Sequence, residues 1–200
     1  NASANTLNGG VGADTLVGGT GNDTYQVDNL GDLVSEVAGQ GADKVIATID
    51  YVMAGEVENL DLGSGASRGT GNALANQING NTAANTLNGG AGNDTLVGGA
   101  GNDIYVVDST SDVITEVTTT TTEIDTVQAA VSWTLGTNLE NLTLTGTGAI
   151  NGVGNGAANA LNGNGAANRL EGGLGNDTLD GGIGNDNMVG GDGNDSYYVD

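Results

Sequence analysis

Aspartate residues at one position of a recurring nine-residue unit are the side chains of this sequence best suited to chemistry. Seven complete units read G-G-x-G-x-D-x-U-x, with U apolar, and they begin at Gly9, Gly18, Gly89, Gly98, Gly172, Gly181 and Gly190. The strong ligands that such a turn offers are carboxylate and backbone carbonyl oxygens. Hard oxygen ligands select Ca²⁺ or Mg²⁺, and a flexible turn suits Ca²⁺ better than Mg²⁺, which needs tight octahedral geometry. The pattern therefore predicts calcium sites.

The length of the unit predicts which aspartates meet. A glycine-rich start favours a tight turn because Gly tolerates positive φ, and the last three residues suit a very short strand with one side chain inward. Two units then form one coil, and stacked coils lie about 4.8 Å apart. Carboxylates about 5 Å apart repel by roughly 1 kcal/mol in bulk water, and a divalent cation between them reverses the sign. The predicted pairs are Asp14–Asp32, Asp23–Asp43, Asp94–Asp112, Asp103–Asp125 and Asp177–Asp195.

Weaker units in the same register carry Asn where the others carry Asp. They begin at Gly71, Gly80, Gly154 and Gly163, and their asparagines are Asn76, Asn85, Asn159 and Asn168. A neutral amide attracts Ca²⁺ less than a carboxylate does, so these turns are candidates for hydrogen bonding without metal. The sequence leaves open whether they bind metal.

An apolar residue recurs at the eighth position of strong and weak units alike. This regularity predicts a continuous apolar core ladder. Its members are Leu7, Leu16, Tyr25, Val34, Val45, Ile78, Leu87, Leu96, Tyr105, Ile114, Val127, Leu161, Leu170, Leu179, Met188 and Tyr197.

A longer repeat overlies the short one, because residues 5–84 match residues 85–167. We predict one continuous solenoid over residues 1–200, with repeat blocks at about 1–45, 71–127 and 154–200. The spacers at about 46–70 and 128–153 should continue it in wider coils, with longer strands at 45–52, 60–62 and 142–144. Residues 118–122 are expected to form a surface loop. Since the chain begins and ends inside repeats, we interpret it as a piece of a longer protein.

Composition excludes several classes of protein and site. The chain has 200 residues, 38 of them Gly, and it contains no Pro, Cys, His or Phe. Collagen, disulfide scaffolds, Cys/His zinc sites and catalytic triads each need residues that are missing. With 25 acidic and 3 basic residues the net charge is −22, which disfavours nucleic acid as a partner. No run of 18 apolar residues occurs, so membrane insertion is not expected.

The nonapeptide resembles the repeats-in-toxin (RTX) family, also called hemolysin-type calcium-binding repeats. The resemblance implies an all-β, right-handed parallel β-roll, a β-solenoid with two nonapeptides per coil and several calcium ions in the turns. Members of the family are typically exported by type I secretion, disordered inside the cell and folded by external Ca²⁺. The implied location is therefore extracellular or the cell surface.

The resemblance also implies a set of ligands. The sixth-position aspartates are Asp14, Asp23, Asp94, Asp103, Asp177, Asp186 and Asp195, and their partners in poorer turns are Asp32, Asp43, Asp112 and Asp125. Turn carbonyls would complete the sites, from Gly10, Gly12, Gly19, Gly21, Gly90, Gly92, Gly99, Gly101, Gly173, Gly175, Gly182, Gly184, Gly191 and Gly193.

Three functional classes compete at this point. We favour a non-enzymatic calcium-binding structural module of a secreted bacterial-type protein that folds on binding extracellular Ca²⁺. The alternative is a self-assembling surface-layer, adhesin or filament repeat, since open parallel edges permit end-to-end stacking. A polysaccharide-binding accessory module of an extracellular enzyme is less favoured, because the negative charge opposes acidic polysaccharides.

Overall fold

The computed structural model describes residues 2–117 and 122–199, and the described residues form 22 short β-strands and no helix. Residues 118–121, most of the predicted surface loop, lie outside the described residues. No helix in the described ranges is long and apolar enough to cross a membrane. The first eleven strands are β1 (Thr6–Asn8), β2 (Thr15–Val17), β3 (Thr24–Val27), β4 (Leu33–Ser35), β5 (Lys44–Ala47), β6 (Tyr51–Val52), β7 (Asn59–Leu62), β8 (Arg68–Thr70), β9 (Gln77–Asn79), β10 (Thr86–Asn88) and β11 (Thr95–Val97). The others are β12 (Ile104–Val107), β13 (Val113–Thr115), β14 (Thr126–Ala129), β15 (Trp133–Thr134), β16 (Asn141–Leu144), β17 (Gly152–Val153), β18 (Ala160–Asn162), β19 (Arg169–Leu174), β20 (Thr178–Asp180), β21 (Asn187–Asp192) and β22 (Ser196–Tyr198).

Strands pair in parallel with the strand two positions further along the chain, which is the connectivity of a solenoid with two strands per coil. One face carries the sheet β1-β3-β5-β7-β9-β11-β13 followed by the sheet β15-β17-β19-β21. The opposite face carries the pair β2-β4 followed by the nine-stranded sheet from β6 to β22. The chain is therefore an all-β parallel solenoid, as the repeat predicts.

The register of these sheets places the eighth-position side chains on top of one another. In the first sheet Leu7 pairs with Tyr25, Tyr25 with Val45 and Leu60 with Ile78. Twelve of the predicted ladder residues are buried between the faces. Leu7, Ile114 and Met188 are only partly buried. Tyr197 departs from the prediction, with 48% of its surface exposed, because β22 is the last strand of its sheet.

The two spacers continue the stack, but not in uniformly wider coils, because each follows a longer coil and begins with a shorter one. Equivalent turn residues of successive coils are usually 18 positions apart, as Asn76 and Asp94 are. The coil that enters each spacer takes 20 residues from Asp23 to Asp43 and 22 from Asp103 to Asp125. The next coil takes only 15 residues in both copies, from Asp43 to Glu58 and from Asp125 to Glu140.

The single strand predicted over residues 45–52 is wrong. The segment forms β5 on one face and β6 on the other, with a bend at residues 48 and 49 between them. The Asp50 carboxylate fixes this corner, because its Oδ1 accepts hydrogen bonds from the backbone N–H groups of Ser67 (2.8 Å) and Arg68 (2.9 Å) in the next coil. The strands predicted at 60–62 and 142–144 are present, as β7 and β16.

Each copy of the long repeat contains an odd number of strands. Strands β1–β9 fall within residues 5–84, and β10–β18 fall within residues 85–167. Nine strands make four and a half coils, so equivalent strands of the two copies lie on opposite faces. Strand β3 is in the sheet that begins with β1, whereas its equivalent β12 is in the sheet that contains β6.

Candidate metal centre

The predicted aspartate pairs are formed, and each is held by the same hydrogen bond. The backbone N–H of the aspartate in one coil donates to the carboxylate Oδ1 of the aspartate in the next coil. The N–O distances are 3.1 Å for Asp14–Asp32, 2.7 Å for Asp23–Asp43, 3.0 Å for Asp94–Asp112, 2.7 Å for Asp103–Asp125 and 3.0 Å for Asp177–Asp195. Asp186 has an asparagine beneath it, and its Oδ1 accepts from the backbone N–H of Asn168 at 2.8 Å. The ladders therefore place carboxylates one coil apart along both edges.

The second carboxylate oxygen of many ladder aspartates has no partner. Among the described residues, six aspartates have a buried Oδ2 atom without a hydrogen bond, and we call them the open carboxylates: Asp14, Asp23, Asp94, Asp103, Asp125 and Asp177. Native proteins rarely leave a buried polar atom unpaired, and a missing ion is one of the standard reasons. Each open carboxylate therefore has one oxygen available to a cation.

The first glycine of the nonapeptide makes room for this oxygen. A Cβ added to Gly18 would lie 2.2 Å from Asp23 Oδ2, and one added to Gly89 would lie 2.2 Å from Asp94 Oδ2. No side chain can occupy that space while the carboxylate stays where it is. The glycine at the first position of each complete unit is therefore explained by the aspartate side chain, which turns back over its own turn and occupies the space that a Cβ would need.

Burial disfavours the ionised form of four of the open carboxylates. Desolvation raises the pKa of Asp94 and of Asp177, and it raises the pKa of Asp103 and of Asp125 to about 6. Neighbouring acids act in the same direction, because the charge of Asp125 raises the pKa of Asp103 further. A bound divalent cation would remove both effects. The donor set, carboxylate and carbonyl oxygen only, fits Ca²⁺.

The turn glycines have the backbone conformation that the pattern requires. All fourteen glycines predicted to supply carbonyl ligands have positive φ, from 71° at Gly182 to 156° at Gly184. The corresponding residues of an Asn-bearing unit, Asn72 and Leu74, do not. The Asp-bearing turns therefore have a different backbone path from the Asn-bearing turns, and that path needs glycine.

Asp32 and Asp112 differ from the other predicted ligands, because hydrogen bonds engage both of their carboxylate oxygens. Asp32 Oδ2 accepts from the backbone N–H groups of Asp28 and Asn29, both at 3.2 Å. Asp112 Oδ2 accepts in the same way from Asp108 (3.2 Å) and Ser109 (3.1 Å). These two aspartates cap turns that lack the glycine pairs, so they contribute less unpaired charge to a metal site.

Asparagine side chains complete the Asn-bearing turns. The amide nitrogen of the second residue of each unit donates to two backbone carbonyls of the coil below. The acceptors are Ala54 and Val57 for Asn72 (both 2.7 Å), Gly63 and Ala66 for Asn81 (2.9 and 2.8 Å), Gly136 and Leu139 for Asn155 (2.7 and 2.8 Å), and Gly146 and Gly148 for Asn164 (2.6 and 2.9 Å). An uncharged donor thus binds carbonyl oxygens that a cation could otherwise attract.

The sixth-position asparagines are satisfied too. Asn76 Oδ1 accepts from the backbone N–H of Asn72 (2.8 Å), and its Nδ2 donates to the carbonyl of Val57 (3.1 Å). The Asn-bearing turns therefore close by hydrogen bonds alone. Sequence reasoning identified the sixth-position asparagines but missed the second-position ones. The signal was present, because all four weak units carry Asn where the strong units carry Gly.

Two glutamates that sequence reasoning also missed end the longest ladders. Glu58 Oε2 accepts from the backbone N–H of Asp43, and Glu140 Oε2 accepts from that of Asp125, both at 2.8 Å. Each reaches across the 15-residue coil, where no sixth-position aspartate is available. Glu58 and Glu140 stand at matching positions in the two copies of the long repeat, and this match could have identified them from the sequence.

Comparison with known protein families identifies the repeat. The family model described as RTX calcium-binding nonapeptide repeat matches in four copies, over residues 1–25, 70–105 and 162–197. The resemblance of the nonapeptide to the RTX repeat is confirmed over these segments. The matched RTX segments contain five of the six open carboxylates, whereas Asp32, Asp43, Asp112 and Asp125 lie between them. A search of curated proteins found no match to the chain.

Proposed function

We propose that the chain is a calcium-binding structural module of a secreted bacterial-type protein, and that it completes its folding when it binds extracellular Ca²⁺. The RTX repeats and the solenoid fold support calcium binding. The observation that carries the proposal is the set of open carboxylates, whose Oδ2 atoms are buried and unpaired within the described residues. Ca²⁺ is the cation whose ligand preferences these oxygens meet.

The ligands proposed for each ion come from different coils. Asp23 and Asp43 are 20 residues apart in the chain, so only the stacked solenoid brings their carboxylates together. The proposed ligands are the ladder aspartates and the carbonyls of the positive-φ glycines in their turns. Because Ca²⁺ would bind the folded chain and not the unfolded one, its binding free energy adds to the free energy of folding.

The dependence of folding on Ca²⁺ favours a location outside the cell. Extracellular calcium modules bind with dissociation constants on the order of 10⁻⁴–10⁻³ M. At low cytosolic calcium the Asp-bearing coils would lack their cations and repel one another. Outside the cell the same coils would bind Ca²⁺ and stack. We therefore propose export before folding is complete, and a structural role with no catalysis.

A calcium titration followed by far-UV circular dichroism tests the proposal, with Mg²⁺ as the control cation. We expect β-structure to increase cooperatively in the millimolar range of Ca²⁺ and much less with Mg²⁺. A chain that binds no Ca²⁺ by calorimetry, and whose spectrum is the same in excess chelator, would overturn it.

Self-assembly into surface layers or filaments is the second candidate. The parallel edges at the ends of the stack have the hydrogen-bonding pattern that a further coil would need. Light scattering on the calcium-loaded chain separates the two ideas. Particle growth with protein concentration supports assembly, whereas a constant monomeric size supports the isolated module.

A further inference from the structure

Two glutamates outside the RTX turn pattern lie against the longest aspartate ladders. One carboxylate oxygen each from Asp23, Glu36 and Asp43 lies within 4.8 Å of the other two, and Asp103, Glu116 and Asp125 form an equivalent group. Glu36 and Glu116 occupy the first position of their units, where complete units have glycine. They also lie outside the segments that match the family model.

Strand pairing explains how these glutamates reach the aspartates. Val17 of β2 pairs with Ser35 of β4, so Glu36 lies directly over Gly18 in the neighbouring coil. Val97 pairs with Thr115, so Glu116 lies over Gly98 in the same way. A Cβ on Gly18 or on Gly98 would come within 2.2 Å of the open carboxylate of its own turn. The glutamate therefore extends over the space beside the first glycine, where the aspartate carboxylate of that turn lies.

A tyrosine hydroxyl holds each glutamate in place. The Tyr25 hydroxyl donates to the Glu36 carboxylate and accepts a hydrogen bond from the backbone N–H of Gly18 at 2.9 Å. The Tyr105 hydroxyl donates to Glu116 in the second copy. Both tyrosines are fully buried members of the core ladder. The core thus fixes the orientation of the third carboxylate.

The residues of both clusters carry carboxylate oxygens without a hydrogen-bond partner. Asp23, Asp103 and Asp125 are each only 1% exposed, and within residues 2–117 and 122–199 their Oδ2 atoms have no hydrogen-bond partner. The same holds for Glu36 Oε2 and Glu116 Oε1. Desolvation raises the pKa of Glu36 and of Glu116, and the nearby Asp43 and Asp103 charges add to it.

No cationic side chain in the described part of the chain balances these clusters. Lys44 is paired with Asp61, Arg169 is paired with Glu171, and Arg68 is exposed. Two buried aspartates beside a half-buried glutamate, with no counter-charge, are unfavourable unless a cation or protons join them. The arrangement occurs twice, although the segment from glutamate to aspartate differs in length and sequence between the copies.

We infer that Glu36 and Glu116 complete two divalent-cation sites, each with three carboxylate ligands, that differ from the sites made by aspartate pairs and turn carbonyls alone. Tyr25 and Tyr105 act as positioning residues. The inference rests on the proposed calcium function and assigns its tightest sites. A third carboxylate raises the charge at the ion, so Ca²⁺ should bind these two sites more tightly than the sites of Asp14 or Asp177.

Calorimetric titration of the whole chain with Ca²⁺ tests the inference, using wild type, Glu36→Gln, Glu116→Gln and the double variant. Each single variant should lose one tight site, with its affinity lowered tenfold or more, and the double variant should lose two. The clusters share no residues, so the losses should add. Glu56→Gln removes the same charge outside both clusters and should bind as wild type does.

Tb³⁺ luminescence gives a second readout, because a nearby tyrosine sensitises the bound lanthanide. Excitation of tyrosine should give emission that falls in the double Glu variant and in Tyr25→Phe/Tyr105→Phe. Circular dichroism checks the fold of each variant in chelator, where the Glu→Gln changes should not destabilise the chain, since they remove repulsion.

The outcomes separate this inference from the proposed function. Loss of two tight sites in the double variant supports both. Unchanged affinity and stoichiometry in the double variant overturn the inference and leave the aspartate-pair sites standing. A wild-type chain that binds no Ca²⁺ overturns both.

Discussion

The Oδ1 atom of Asp103 accepts a hydrogen bond from the backbone N–H of Asn85, 2.7 Å away in the coil below. An Asp-bearing turn thus rests on an Asn-bearing turn. The same contact joins Asp94 to Asn76 and Asp177 to Asn159, at 2.7 and 2.8 Å. Each coil of a solenoid is stabilised chiefly by its neighbours. The coils with Asn-bearing turns, which need no metal to close, therefore stabilise the adjacent coils with Asp-bearing turns.

This division of roles can be tested by converting one turn into the other type. The triple change Asn81→Gly, Ala83→Gly and Asn85→Asp gives the weak unit at residues 80–88 the complete nonapeptide pattern. We expect lower stability in chelator, since the two hydrogen bonds from Asn81 to the coil below are lost. We also expect one additional bound Ca²⁺ by calorimetry. Unchanged stoichiometry would show that the turn sequence does not by itself determine the metal site.

The second-position asparagines should stabilise the fold whether or not Ca²⁺ is present. Replacing Asn72 with Ala leaves the Ala54 carbonyl without its side-chain donor and the Val57 carbonyl with only the Asn76 amide, which should cost about 1–3 kcal/mol in the free energy of unfolding. Asn162→Ala is the control, because this side chain is exposed and should change stability by less than about 0.5 kcal/mol. Urea unfolding of both variants with and without Ca²⁺ measures the effect. Equal stability of the two variants would contradict the role assigned to Asn72.

The first glycine of a complete unit should tolerate no side chain. A Cβ at Gly89 would lie 2.2 Å from Asp94 Oδ2, so Gly89→Ala must displace the carboxylate. We expect a loss of about 1–3 kcal/mol in stability and weaker Ca²⁺ binding in that turn. Gly55 has open space where its Cβ would be, and Gly55→Ala should be close to neutral. Thermal unfolding and a calcium titration compare Gly89→Ala with Gly55→Ala. Equal stability and equal calcium affinity of the two variants would contradict the steric role assigned to Gly89.

Acidification should stabilise the calcium-free chain. The pKa values of Asp103 and Asp125 are about 6 in the folded chain, above the ordinary 3.8. Between about pH 4 and 6 the folded state therefore holds protons that the unfolded state releases, and stability falls as pH rises through this window. Asp50 opposes the trend weakly, since a hydrogen bond from Ser67 lowers its pKa.

Urea unfolding in calcium-free buffer at pH 5 and pH 7 measures this pH dependence. Wild type should be more stable at pH 5, and Asp103→Asn/Asp125→Asn should show a smaller difference between the two pH values. Added Ca²⁺ should reverse the order, because protons compete with the ion at pH 5. Greater stability at pH 7 in calcium-free buffer would contradict the raised pKa values.

The sequence predicted the coil and its stacked pairs because both depend on one spacing. Asp23 meets Asp43 despite a two-residue slip, since the apolar ladder keeps the strands in register. The corner at Asp50 could not be found in this way, because it is fixed by contacts with Ser67 in another coil. Glu36 was missed for a similar reason, since its contacts with Asp23 and Tyr25 depend on which residue the next coil places above Gly18.

The nine strands of each long repeat have a geometric consequence. Successive long repeats are related by a half-turn about the solenoid axis, so the group of Asp23 and Glu36 faces one way and that of Asp103 and Glu116 faces the other. A partner that binds along one edge would contact an equivalent group of carboxylates only at every second long repeat. Cations bound at the two groups would therefore lie on opposite edges of the solenoid.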